Sequence, residues 1–309
     1  VSLPKTMSRK IRNQIDGILL LDKPLGISSN QAINKVKYLL NATKVGHTGT
    51  LDPMATGLLP VCLGEATKFA SYLLDGDKEY YATMQLGVVT NTGDAEGKII
   101  ARNSVNVSLE LIQLALGKFT GEIHQIPPMY SALKHNGQPL YEYARAGITI
   151  ERQSRKVSIY ELELINYDSI KQQLEFRALV SKGTYIRTLA EDIGNFLGCG
   201  ASLIALRRTR TNQFSINTAI TIEKVAEDIS NLPLLPIDSI LPDLNSYQIN
   251  DAQYIKVGHG NVCEINEQLD LGKYRLYYQS KFLGVADIIE DNGRLQLKPK
   301  RMIQQMIIN

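Results

Sequence analysis

Histidine and cysteine are scarce in this sequence, with only 4 and 3 among 309 residues. Cys62, Cys199 and Cys263 are scattered and lack CxxC spacing, which argues against a disulfide framework or a zinc site and suits a reducing cytosol. The histidines have no ligand spacing either, so no metal is expected. GxxxxGK[ST], GxGxxG after a strand and GxSxG are all absent, which removes the P-loop, the dinucleotide fold and the usual hydrolase elbow. No apolar run approaches the ~18 residues of a membrane span, and the first residues lack a signal-peptide core. A cytoplasmic protein without membrane contact or cofactor is the expectation.

What is present is ordinary for a globular chain: 44% hydrophobic and 21% charged residues, enough for a sizeable core. The net charge is only +3, but cations cluster locally: Lys5, Arg9, Lys10 and Arg12; Arg152, Arg155 and Lys156; Arg207, Arg208 and Arg210; Lys298, Lys300 and Arg301. Several separate clusters favour a polyanionic partner. Residues 1–14 read as a basic arm.

Along the chain, apolar runs at 17–21 and 58–63 read as buried strands, and residues 78–87 alternate as a half-buried strand. Helices are expected from Ser28 or Ser29 to Leu40, over 65–74, from Ser108 to Leu116, from Tyr185 to Leu197 and over 221–230. Residues 90–97 read as a polar turn before a short strand at 98–101. Strands are expected at 157–167 and 173–181, and a further one at 201–206 running into the Arg207 cluster. Pro233, Pro236 and Pro242 mark a composition shift, and a boundary is placed near Asn245. Beyond it, a short helix (251–257) and strand-like runs at 261–265, 273–279, 281–289 and 294–298 suggest a small β-barrel.

Two stretches carry the chemistry. Residues 44–60, KVGHTGTLDPMATGLLP, hold His47 and Asp52 among three glycines and two prolines. Asp52 reads either as a functional carboxylate on a constrained loop or as a helix N-cap with Pro53 at the first helical position. Residues 122–158 mix Tyr130, Tyr141 and Tyr143 with Lys134, Arg145, Arg152 and Arg155. Aromatics among cations suit stacking on unpaired bases, although a surface hairpin with tyrosines against its own scaffold has the same composition. A carboxylate on a glycine loop, Tyr80 on a strand, and Tyr185 and Arg187 at a glycine turn would suit acid–base or nucleophilic work on nucleic acid.

GHTGTLDPMATGLLPV (46–61) resembles the catalytic signature of the bacterial tRNA pseudouridine synthase B (TruB) family. GILLLDKPLGISSN (17–30), LGEATKF (63–69), IPPMYSALK (126–134), LYEYAR (140–145), SKGTYIRTLAEDIG (181–194) and LRR (206–208) follow that family in order and spacing. The likeness is strong over residues 15–215 and weaker beyond. It implies an α+β fold: a pseudouridine synthase core over 15–244 with a mixed, largely antiparallel sheet flanked by helices and loops. A small C-terminal PUA-like β-barrel over 245–309 would follow.

The resemblance also implies an activity, isomerisation of the T-loop uridine at tRNA position 55 without a cofactor. Asp52 would be the catalytic aspartate. Tyr80 would stack on the flipped uracil and assist proton removal from C5, and Arg187 would pair with Asp52. Tyr185 and Leu206 would line the uridine pocket, His47 would fill the gap left in the T-loop, and Lys23 with Pro24 would support the catalytic loop at the substrate site. Residues 122–158 would be an RNA-gripping insertion. RNA contacts are expected from Lys68, Tyr130, Lys134, Tyr141, Arg145, Arg155, Arg207 and Arg208. The partner would be the T-arm stem-loop of tRNA, bound by a monomer that needs no other protein. Two other readings stay open: an RNA-binding or tRNA-folding protein whose role needs no turnover, and a guide-RNA-dependent synthase of the dyskerin-like relatives.

Overall fold

Period-2 alternation sets the centre of the fold. In the strand Lys78–Leu86, Lys78, Tyr80, Ala82, Met84 and Leu86 are buried, while Glu79, Thr83 and Gln85 are half-buried and Tyr81 is exposed. One face of the strand therefore meets the core and the other meets solvent. The computed structural model describes residues 12–304, so Lys5, Arg9, Lys10 and most of the basic arm lie outside the described residues.

The strand Lys78–Leu86 sits within a nine-stranded sheet. Across this sheet the order is Gly17–Lys23, Ala55–Leu63, Ala201–Thr211, Lys78–Leu86, Gln173–Val180, Arg155–Asp168 and Gly121–Gln125, with Val45–His47 and Phe214–Ser215 paired at its side. Ala55–Leu63 and Ala201–Thr211 run parallel, and the other pairings are antiparallel. The fold is thus α+β with a mixed, largely antiparallel sheet. Helices Ser29–Leu39, Leu109–Lys118 and Ile186–Phe196 cover its apolar face through Ala32, Ile33, Val36, Ile112, Ala115, Ile186, Leu189 and Ile193. The expected caps are in place: Ser28 forms a capping box with Gln31, and Ser108 accepts from the Leu111 amide.

Three elements differ from the sequence reading. Residues 65–74 are not one helix but a 3₁₀ turn, Gly64–Phe69, followed by the single turn Ser71–Leu74. The Thr67 hydroxyl donates to the Gly64 carbonyl at 2.7 Å, a three-residue reach that competes with α-helical bonding. The strand expected at 201–206 continues through the arginine cluster to Thr211. The insertion has a stem, because Gly121–Gln125 pairs with Arg155–Ile159, and only 126–154 leaves the sheet. That segment carries one short helix, Leu140–Arg145.

Gly57 shows why the glycines of residues 44–60 matter. Its φ is +103°, and a Cβ there would run into the backbone of Arg208 on the adjoining parallel strand. Gly57→Ala is expected to cost about 2 kcal/mol from the left-handed conformation alone. Chemical denaturation should show a lowered midpoint, and an unchanged midpoint would contradict this contact.

From Asn245 onward a second sheet of five strands forms, ordered Asn245–Gln248, Gly272–Tyr278, Lys281–Asp291, Arg294–Met302 and Cys263–Ile265, with helix Asp251–Gly258 beside it. It docks on the first sheet through an apolar cluster of Ile18, Leu20, Leu58, Cys62, Phe69 and Val285. Phe69 meets Phe282 edge-on at 5.5 Å. No helix among the described residues is long and apolar enough to cross a membrane.

Candidate active site

Residues 44–60 are a strand, a loop and a strand. Val45–His47 and Ala55–Leu63 pair with each other, leaving 48–54 as the loop. The Ala55 amide donates to the Asp52 carbonyl at 3.0 Å, so Asp52 and Pro53 open a turn into a strand. No helix follows, and the N-cap reading of Asp52 falls. Ser29 fixes the loop from below: its hydroxyl donates to the Leu51 carbonyl at 3.0 Å and accepts from the Leu51 amide at 2.7 Å.

Arg187 enters from the first turn of helix Ile186–Phe196, with its side chain 5% exposed. Its guanidinium meets the Asp52 carboxylate at 3.1 Å and the Asp94 carboxylate at 3.2 Å. It also donates to the carbonyls of Thr92 at 3.2 Å and Tyr130 at 2.6 Å. A planar fork can satisfy all these acceptors at fixed angles where an ammonium could not. Asp94 is buried and accepts from Thr92 Oγ1 at 2.6 Å and the Glu96 amide at 3.1 Å. The Asp52 side chain remains 36% exposed. One carboxylate is locked, and the other is held while it faces open space.

That space is a cavity of about 260 Å³ whose walls include Asp52, Tyr80, Tyr130, Tyr185, Arg187, Leu206 and Arg208. A second cavity of about 650 Å³ adjoins it and carries Asp94, Tyr141 and Arg145. Tyr185 is clamped through its backbone. Its amide donates to Gln125 Oε1 at 2.8 Å, and Gln125 Nε2 donates back to its carbonyl at 3.0 Å. The Arg155 guanidinium lies over the Tyr185 ring at 5.1 Å.

Burial, the largest influence, raises the Asp52 carboxyl above its ordinary value; Arg187 opposes the rise, Asp94 adds to it, and Lys23 opposes it. Burial lowers the Lys23 ammonium to about 8 despite the attraction of Asp52. Lys78, on the cavity wall, is likewise lowered to about 8 by burial, while its Nζ donates to the Leu74 and Gly76 carbonyls. Burial pushes Glu191 up to about 7, where its carboxylate lies against Gly93 in the turn that carries Asp94.

Several sequence assignments need correction. Lys23 cannot touch a substrate, because it is fully buried and its ammonium donates to the carbonyls of Pro24 at 2.8 Å and Ile27 at 2.7 Å. It braces the turn after its own strand. Arg208 is no surface cation: strand alternation turns it inward, where it donates to Leu58 O at 2.8 Å and Gly49 O at 3.1 Å beside the loop 48–54. Arg207 points to the opposite face and pairs with Asp22 at 2.7 Å. Lys68 is committed to the contact between the sheets, bonding Glu65 at 2.7 Å and the Met302 carbonyl at 3.0 Å. Lys134 is exposed on the insertion. His47 lies on the strand two residues before the cavity wall begins at Gly49; burial and Arg208 lower its imidazole below the ordinary value.

Asp94 and Gln125 escaped the sequence reading. Asp94 stands in TNTGDAEG, where Asn, Thr, Gly and Asp signal a turn on their own account. Its only further signal is a buried arginine far along the chain, which local pattern cannot supply.

Comparison with known proteins adds independent findings. The TruB family pseudouridylate synthase N-terminal domain matches residues 37–186, and the tRNA pseudouridylate synthase B C-terminal domain matches 187–241. The C-terminal domain of pseudouridine synthase II TruB matches 246–303. The tRNA pseudouridine synthase B of Chromobacterium violaceum is 48% identical over 301 residues, covering 96% of this chain and 97% of its own. That of Actinobacillus succinogenes is 47% identical over 306 residues, covering 96% and 97%. Among solved structures, an archaeal box H/ACA Nop10–Cbf5 complex superposes with a TM-score of 0.69 at 24% identity, over 95% of this chain and 88% of that one.

Proposed function

The chain belongs to the TruB family of pseudouridylate synthases, and from that membership we propose that it isomerises the T-loop uridine of tRNA, conventional position 55, to pseudouridine at Asp52. The observation that carries this reading is the open carboxylate of Asp52, held at 3.1 Å by the buried Arg187 on the wall of a cavity shared with Tyr80, Tyr185 and Leu206.

The chemistry follows from that geometry. A base inside a loop must leave its stack before it can react, at a cost of a few kcal/mol. Stacking on Tyr80 returns about 1–3 kcal/mol. Breaking N1–C1′ leaves electron deficiency on the sugar, which the Asp52 carboxylate meets. The uracil turns within the cavity, C5 bonds to C1′, and the C5 proton departs while N1 gains one. No atom is lost and no water is consumed, so a single reacting carboxylate suffices where glycosidases need two. Arg187 keeps Asp52 oriented, and Asp94 keeps Arg187 oriented.

The exposed Lys134 and Arg145 on the insertion, with Tyr141 beside the second cavity, supply the grip on the T-arm. The sheet beginning at Asn245 extends the RNA contact. The protein acts in the cytoplasm as a monomer without a protein partner. A purified sample given a T-arm minihelix with tritium at uridine C5 is expected to release the label and place pseudouridine at one loop position. A sample that releases none, or only with added protein or guide RNA, would contradict the reading.

Activity requires ionised Asp52. A raised carboxyl is charged only above its elevated pKa, so activity is present above that value and is lost as pH falls through it. The acid limb of kcat/KM is therefore expected above the ordinary carboxylate range of about 4. Asp94→Asn removes a charge that raises Asp52 and frees one side of Arg187. The limb should move to lower pH while kcat falls about 10²-fold. A limb that stays in place would contradict the coupling.

A further inference from the structure

We propose that the Ser131 hydroxyl binds the ribose 2′-hydroxyl of the nucleotide in the Asp52 cavity, making Ser131 a substrate-contacting residue that reads RNA against DNA. The inference rests on the reading above, that this cavity takes a uridine.

Ser131 is 5% exposed, and its Oγ has no hydrogen-bond partner among the described residues. Buried hydroxyls are normally paired, and an unpaired one is costly to keep. Thr48, Thr188, Thr211 and Ser239 share this condition, yet none of them borders either cavity. Ser131 borders both.

Its surroundings do not use the hydroxyl. The Ser131 amide donates to Met129 O at 2.9 Å, and its carbonyl accepts from the Tyr141 amide at 3.1 Å. At Ser131 itself the turn is held through backbone groups, not through the hydroxyl. The preceding carbonyl, that of Tyr130, accepts from Arg187 at 2.6 Å. Ser131 is thus fixed relative to the guanidinium that holds Asp52.

Position selects the atom it would meet. Thr50, Asp52, Tyr130, Ser131, Ala132 and Arg187 form the boundary common to the two cavities. Leu74 and Lys78 line only the first. Ser131 therefore stands with Asp52, at the sugar end of the site. Asp52 addresses C1′, and the 2′-hydroxyl is carried on the adjacent carbon. A serine hydroxyl both donates and accepts, as the 2′-hydroxyl does, and that group distinguishes RNA from DNA.

The test is a two-by-two comparison of kcat/KM by C5 tritium release. Wild type and Ser131→Ala are each given a T-arm minihelix with uridine or 2′-deoxyuridine at the target position. Either change alone should lower kcat/KM roughly fivefold to tenfold, the scale of one hydrogen bond. Both together should lower it no further than the larger single loss. Ser131→Thr, which keeps a hydroxyl, should keep the preference for the ribonucleotide. Losses that multiply, a wild type indifferent to the 2′-hydroxyl, or a Thr variant without the preference would each overturn the proposal. The all-ribose minihelix with wild type separates the two readings: no turnover there removes the synthase assignment, whereas turnover with multiplying losses removes only the role of Ser131.

Discussion

Asp52→Asn is expected to abolish turnover while leaving RNA binding intact. The substitution preserves size and the turn in which the Ala55 amide donates to the Asp52 carbonyl. Among the described residues it removes the only carboxylate on the wall of that cavity, from a side chain 36% exposed. Asp94 cannot replace it, because that carboxylate is 4% exposed and already engaged by Arg187, Thr92 and the Glu96 amide. A loss of at least about 10⁴ in kcat is expected, equivalent to about 5.4 kcal/mol of transition-state stabilisation. Filter binding to the minihelix should stay within about threefold, because one neutralised carboxylate inside a cavity bears little on phosphate contacts. Residual single-turnover activity within tenfold of wild type would show that the carboxylate is not the reacting group.

Arg187→Lys is expected to cost both activity and stability although it conserves charge. The guanidinium serves two carboxylates and two carbonyls from opposite sides. An ammonium has three donors around one point and cannot span from Asp52 to Asp94. One buried acceptor group is then left without its partner, and breaking a buried pair in this way costs about 3–5 kcal/mol. Asp52 would also drift from its bonded position, and displacement of a reacting group by about 1 Å costs on the order of 10²-fold. The expected result is a kcat reduced about 10²- to 10³-fold together with a clear fall in melting temperature. Asp94→Asn in the same background should recover part of the stability, since it removes the stranded charge. A variant as stable as wild type would show that the network contributes nothing to folding.

Particular residues show how much of this was legible. Alternation along KEYYATM separated Tyr80 from Tyr81, and the structure puts Tyr80 on the cavity wall and leaves Tyr81 43% exposed on the opposite face. The glycines and Pro53 marked a constrained loop because their backbone limits are intrinsic to the residue type. The three arginines at 207, 208 and 210 read as one patch because charge suggests surface. The strand continues through them, so Arg208 turns inward and Arg207 outward. Lys68 misled for the same reason: its ammonium ends on the Met302 carbonyl, which only the assembled fold presents. Asp94 stayed hidden because its meaning lies wholly in a partner on another element. Motif order singled out Asp52, but the residues that hold its carboxylate are set by tertiary contacts.

The central claim is that a uridine enters the cavity beside Asp52. The most direct measurement is the structure of the protein bound to a T-arm minihelix carrying 5-fluorouridine at the target position, where fluorine replaces the hydrogen that must leave C5. The account predicts that base out of its stack, against Tyr80 and between Tyr185 and Leu206, with the Asp52 carboxylate facing its sugar. An RNA whose target base stays stacked in its loop, with the cavity empty and contacts confined to the C-terminal sheet, would contradict it.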